Sequence, residues 1–207
     1  MQQQKVLWGE RVIGAPYPFK VANLATLPDD TWQYEIVDGE LIRMPGSGYD
    51  ASKYTVGLIV ALGNFVDQHN LGEVTGPDGT YDLTRPGDSN DTALGLDAAF
   101  VQTARLPGPM PGYAKLAPDL VAEVVSLSQY RPEMTRKAQP YIERGVRLVW
   151  IIWPSSQTDD VWRLSSPTAP VQTLTMADSL DGLDGLDGLD GLDVQPGFTY
   201  PLSTLLR

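Results

Sequence analysis

The segment PDLVAEVVS, residues 118–126, and the later run VRLVWIIW, residues 146–153, decide the fold. Each is rich in β-favouring apolar residues, and the second is apolar on both faces, as a central strand should be. Between them, residues from about 132 to 144 read as a helix, with Pro132 suited to its first turn and Gly145 to its stop. Pro140 inside that helix predicts a kink or a missing hydrogen bond. One residue contradicts the apolar reading of the first strand: Glu123 stands among Val121, Ala122, Val124 and Val125. Burying even a neutral polar group without a partner costs about 2–7 kcal/mol, so a carboxylate there needs a compensating charge or a function.

Working outward, YEIVDGELIRM (34–44) is a hairpin signal, two β-favouring runs around Asp38-Gly39, a dipeptide suited to a type I′ turn. TLPDDTW (26–32) predicts a short helical turn capped by Thr26 or Asp29. From Ala51 to His69 the residues Val56, Ile59, Val60, Leu62, Phe65 and Val66 fit one helical face, despite Gly57 and Gly63. GEVTGPDGTYDLT (72–84) reads as two short strands around a turn, and RPGDSNDTALG (85–95) as a polar loop. LDAAFV (96–101) is a strand opened by Asp97, another acid in an apolar run. VWRLSS and VQTLTM (161–166, 171–176) close the sheet as an antiparallel hairpin. The expected class is therefore α/β, mixed with α+β character: a mixed central sheet flanked by helices, with an N-terminal β-hairpin. Residues 1–23 are expected as an extended arm and 24–207 as one domain.

The chain has 207 residues, 42% hydrophobic and 20% charged, which is globular composition. The longest apolar run is far short of the roughly 20 residues of a membrane span, and no secretory leader is visible at MQQQKVLWGE. No cysteine is present, which excludes disulfides and thiolate metal sites and makes the cytoplasm the expected compartment. The formal charge of −11 argues against a surface that coats nucleic acid. Its distribution tempers this. Six of the 26 acids, Asp178 to Asp193, fall in one low-complexity segment, residues 178–193, whose repeat SLDGLDGLDGLDGLDV is expected as a surface loop. Arg131, Arg136, Lys137, Arg144 and Arg147 gather a third of the bases near the predicted helix.

In order, YEIVDGEL, LDAAFV, PDLVAEVVS and Lys137-x3-Tyr141-x3-Gly145 leading into VWIIW resemble the Uma-two family of restriction endonucleases, within the PD-(D/E)XK nuclease superfamily. The resemblance runs from about residue 24 to the C-terminus. It implies a restriction-endonuclease-like core that hydrolyses phosphodiester bonds of DNA, usually as a homodimer. Asp97 and Glu123 would hold a divalent cation, Mg2+ or Mn2+, through hard oxygen ligands. Glu40, beside the hairpin turn, would be a further acid of the cluster; Glu35 is the second choice. Two departures stand out. Leu96 replaces the proline usual before the first acid, and Val125 stands where the second half of the motif carries lysine. The resemblance moves that role to Lys137 on the helix, where it would orient or deprotonate the attacking water. Tyr141, one turn later, shares its face.

Other candidates carry plainer readings. Asp119 is an edge or capping residue. His69, the single histidine, sits at the end of a helix and suits its dipole. Ser47 lacks a nucleophile-elbow context, the acids at 88–91 lack a calcium-loop glycine, and Trp150 and Trp153 read as core. The rival to catalysis is an inactive nuclease fold used for binding or assembly. A third possibility is hydrolysis of a small phosphoester.

Overall fold

The computed structural model describes residues 8–77, 79–127, 129–181 and 197–207. The hairpin expected around Asp38-Gly39 is β2 (Trp32–Val37) and β3 (Glu40–Pro45), and both turn residues have positive φ, 49° and 82°. That is the left-handed pair a type I′ turn requires. β1 (Glu10–Arg11) adds to the outer edge of β3. Within the segment expected as an extended arm, Glu10 and Arg11 thus pair with the sheet, and Trp8 is buried. The helical turn lies earlier than TLPDDTW, as a 3-10 turn at Val21–Thr26. Pro28 and the residues up to β2 stay extended or bent.

α1 (Tyr49–His69) buries Ala51, Thr55, Leu58, Leu62 and Val66, a stripe at helical spacing. It ends on Asn70 in the left-handed region. β4 (Gly72–Thr75) and β5 (Gly79–Asp82) are the two expected strands, but they do not pair with each other. β4 joins β7 (Ala98–Gln102), whereas β5 joins β6 (Ala93–Leu96), a strand inside the segment expected as polar loop. β8 (Leu120–Val124), α2 (Arg131–Glu143) and β9 (Leu148–Trp153) form a parallel strand–helix–strand unit, and α2 continues through Pro140. β10 (Thr158–Arg163) and β11 (Gln172–Leu174) close the edge antiparallel. β12 (Ser179–Asp181) pairs with β13 (Thr199–Pro201), and α3 (Leu202–Leu205) follows. The start of the triplet repeat is therefore paired with a strand that follows it; residues 182–196, most of that repeat, lie outside the described residues.

Among the described residues the strands form a six-stranded sheet, β11-β10-β9-β8-β7-β4, a five-stranded sheet, β1-β3-β2-β6-β5, and the β12-β13 pair. Only β8 and β9 are parallel within the larger sheet, so it is mixed, as expected. One face of that sheet packs under α1 and α3 through Phe100, Leu120, Trp150 and Ile152 with Leu58 and Leu62. The other face, through Val121, Val149 and Ile151, packs against Met134, Ala138 and Ile142 of α2 and against Ile42 and Leu94 of the smaller sheet. Asp97 is the residue at which the chain leaves β6 of one sheet and enters β7 of the other. No described helix is long and apolar enough to cross a membrane.

Candidate functional site

The two sheets and α2 meet around Glu123. Its side chain leaves β8 toward α2, where the i, i+4 spacing of Lys137 and Tyr141 brings both onto the buried face. Lys137 Nζ donates to Glu123 Oε2 at 2.9 Å, and Tyr141 Oη donates to Glu123 Oε1. Both partners are enclosed: Glu123 is 4% exposed and Lys137 5%. Asp97, at the strand junction, accepts the Val124 backbone N–H at 2.7 Å, one residue beyond Glu123. Two of the expected acids and the expected lysine are thus brought together.

Glu40 is not in this group. It lies at the turn end of β3, and its carboxylate pairs with Arg11 at the rim. Glu35 takes the place instead. Glu35 is opposite Ile42 in the hairpin ladder, well inside the strand, and is 1% exposed. Its Oε1 accepts the Gly95 N–H at 3.0 Å and lies 3.5 Å from Lys137 Nζ, while Trp8 Nε1 donates to Oε2. The physical reason is position along the strand. Glu40, beside the turn, is met by Arg11 at the rim, whereas Glu35, three residues before the turn, is met by Lys137 of α2 and by Trp8. Trp8 also escaped the sequence reading, because its only signal was an isolated aromatic in an irregular arm.

Three carboxylates thus surround one ammonium. Burial is the main force that pushes the Glu123 carboxyl up, to about 7, and Asp97 and Glu35 add to it against the pull of Lys137 and Tyr141. Burial alone would lower the Lys137 ammonium, but Glu123, Glu35 and Asp97 together hold it well above the ordinary lysine value. Tyr141 is likewise raised, first by burial and then by the same three acids. At neutral pH Lys137 is therefore a fixed cation and a donor, not a base.

The cluster lines a cleft of about 890 Å³. Its walls include Gly46, Ser47 and Tyr49 at the start of α1, Leu127 and Gln129 after β8, and Pro154 after β9. Among the described residues no group of three or more acidic or histidine ligands is arranged to enclose a metal ion. Asp97 and Glu123 do fit a cation that binds through one or two carboxylates and completes its shell with water and phosphate, which is the habit of magnesium. The excess of buried negative charge over the single Lys137 favours such a cation.

The remaining candidates are structural. Asp119 holds Arg105 and Arg147 at 2.6 and 2.9 Å. His69 Nδ1 lies 2.8 Å from the Phe65 carbonyl oxygen at the C-terminal turn of α1. Trp150 is core, and Trp153 donates to Asp160 at 2.9 Å.

The family model described as "Putative restriction endonuclease", Uma2, matches residues 21–195. Among solved structures, a protein from Anabaena variabilis described as a "putative nuclease" has a similar fold, with a TM-score of 0.71 and 18% sequence identity. The likeness covers 91% of this chain and 98% of that one. No curated protein matches the chain.

Proposed function

The chain belongs to the Uma2 family of restriction-endonuclease-like proteins, and from that premise we propose that it hydrolyses phosphodiester bonds of DNA with a divalent cation held by Asp97 and Glu123. The observation that carries this reading is the enclosed Glu123, Glu35 and Lys137 with the half-buried Asp97 beside them, all lining one cleft. Magnesium or manganese bound there would polarise the scissile phosphate and acidify a bound water. The chain's own residues do the rest. Lys137, charged and fixed between Glu123 and Glu35, presents its remaining proton to the charge that develops on phosphorus-bound oxygen as water attacks and the ester oxygen leaves. Tyr141 fixes Glu123 Oε1, and the Val124 N–H fixes Asp97, so neither carboxylate must reorganise during the reaction. Glu35 acts through Lys137, which it anchors, and is itself anchored by Trp8 and Gly95. The superfamily resemblance also carries a homodimer, which sedimentation of the full chain reads directly.

The test is magnesium-dependent cleavage of plasmid and linear DNA by the intact protein and by Asp97→Asn and Glu123→Gln. Both variants are expected to lose cleavage by three orders of magnitude or more, on the scale of lost electrostatic catalysis, with circular dichroism unchanged. Undiminished cleavage by either variant refutes the site. One observation favours a second reading, an inactive fold used for binding: Glu123 already has Lys137 and Tyr141 as partners without any ion. Calorimetry with manganese separates the two. Binding lost in Asp97→Asn supports catalysis, and no binding at millimolar metal supports the second reading.

A further inference from the structure

The phosphodiester reading leaves open which form of nucleic acid enters the cleft. Duplex DNA is gripped through rows of Lys and Arg that neutralise phosphates of both strands. Here Arg43 is committed to Glu10 and Arg131 to Asp160. Of the residues lining the cleft only Arg43 and Lys137 are basic, against Glu10, Glu35, Asp50, Asp97 and Glu123. The reactive groups are also sunk, since Glu123, Lys137 and Glu35 are each no more than 5% exposed. A phosphate must descend to them, and a continuous duplex carries its phosphates on a rigid outer ridge.

The walls offer what a single strand uses instead. Tyr49 is 83% exposed and Leu127 88%, and both line the cleft. Tyr54 also lines it, half-buried. Unpaired bases stack on exposed aromatic rings such as that of Tyr49 without regard to sequence. α1 begins at Gly48 with no side-chain cap, and its first residues, Tyr49, Asp50 and Ala51, line the same cleft. A cleft of about 890 Å³ is of small-ligand size, room for about two or three nucleotides at once.

We propose that the cleft takes an unpaired strand of nucleic acid, drawn between the start of α1 and the connection after β8, and excludes a continuous duplex. This rests on the phosphodiester reading above and narrows it to single strands, flaps or frayed ends.

The experiment measures binding by fluorescence anisotropy with full-length Asp97→Asn protein and labelled oligonucleotides of about 10 nucleotides, a typical single-strand site size. The probes are single-stranded DNA, single-stranded RNA and the matching DNA duplex. We expect either single strand to bind about tenfold or more tighter than the duplex, with a log–log salt slope shallower than about −3. Tyr49→Ala should weaken single-strand binding about 5- to 100-fold, and Tyr49→Trp should restore it. A preference between DNA and RNA strands would support the proposal and assign the sugar. Duplex binding equal to or tighter than single-strand binding, or a steeper salt slope, overturns it. Intact protein with magnesium distinguishes the two levels. Cleavage of duplex but not of single strands refutes this inference and keeps the phosphodiester reading, whereas no binding and no cleavage of any probe refutes both.

Discussion

Strand β8 carries a buried carboxylate at each end, and the two are built in opposite ways. Asp119, just before the strand, receives Arg105 and Arg147 at 2.6 and 2.9 Å and the Gln102 backbone N–H at 2.8 Å. It is one negative charge against two positive ones, with both arginines reaching solvent. Glu123, near the strand's other end, shares its one cation with Glu35, and Asp97 stands close enough to act on both. There three carboxyl groups face one ammonium. Burial alone does not separate the two sites, since Asp119 is as enclosed as Glu123. The sign balance does. A clip that ties loops to a strand is neutralised within the protein, while a site that waits for a cation keeps its negative charge in excess.

The widest gap between the two ends should appear in catalysis. Glu123→Gln is expected to abolish magnesium-dependent cleavage, whereas Asp119→Asn should cut DNA at a rate within a few-fold of the intact protein at temperatures where it is folded. Equal losses in both variants would erase the distinction between clip and site.

The next effect is on stability and its pH dependence. Lys137→Met removes the cation and leaves three carboxylates uncompensated, so unfolding free energy at neutral pH should fall by about 3–5 kcal/mol. Millimolar magnesium should recover part of that loss. In the metal-free intact protein, Glu123 holds its proton up to about pH 7, above its ordinary value of 4.5. A raised carboxyl stabilises the fold below the unfolded value and loses that contribution as pH rises through the folded one. The melting temperature should therefore decline between about pH 5 and pH 7, and Glu123→Gln should flatten the decline. A melting temperature that rises through that window would contradict the excess of negative charge. At the other end of β8, Asp119→Ala should cost about 2–3 kcal/mol, less than the enclosed lysine because Arg105 and Arg147 retain contact with water. Denaturant melts read both values.

Much of this was legible in the chain. The Asp38-Gly39 turn fixes the hairpin register, and the apolar runs at 120–125 and 148–153 mark the central strands. The i, i+4 spacing of Lys137 and Tyr141 puts both on Glu123. What failed depends on contacts between segments far apart. β6 is hidden because ALGL is short, contains Gly95 and follows a polar run, and it pairs only when β5 lies alongside. That β4 and β5 part to different sheets follows from two-sheet packing, which no local pattern records. Glu35 and Glu40 lie on one face of the hairpin, so alternation cannot choose between them; Lys137 of α2 and Trp8 of the arm choose Glu35 by closing over the middle of the strand.

The smallest predicted effect has the opposite sign and tests the same rule on a third buried acid. Asp159 on β10 is fully buried, and neither carboxyl oxygen has a hydrogen-bond partner. Across the ladder it stands between Ile152 and Leu174, both part of the core beneath α1, and among the described residues no cation compensates it as Lys137 compensates Glu123. Burial, with a smaller push from Asp160, holds its carboxyl well above the ordinary aspartate range. The group is therefore kept protonated to higher pH in the folded protein than in the unfolded chain, and stability declines as pH rises from the unfolded value toward the folded one. Asp159→Asn removes that pH-dependent cost while keeping the shape, and should stabilise the protein by about 1–2 kcal/mol near pH 7. Near pH 4, where the buried acid is neutral, the gain should shrink toward zero. A gain that is independent of pH would mean that packing, not charge, sets the cost at β10. A loss of stability would mean that Asp159 has a charge partner after all, which would place it with Asp119 and not with the uncompensated acids.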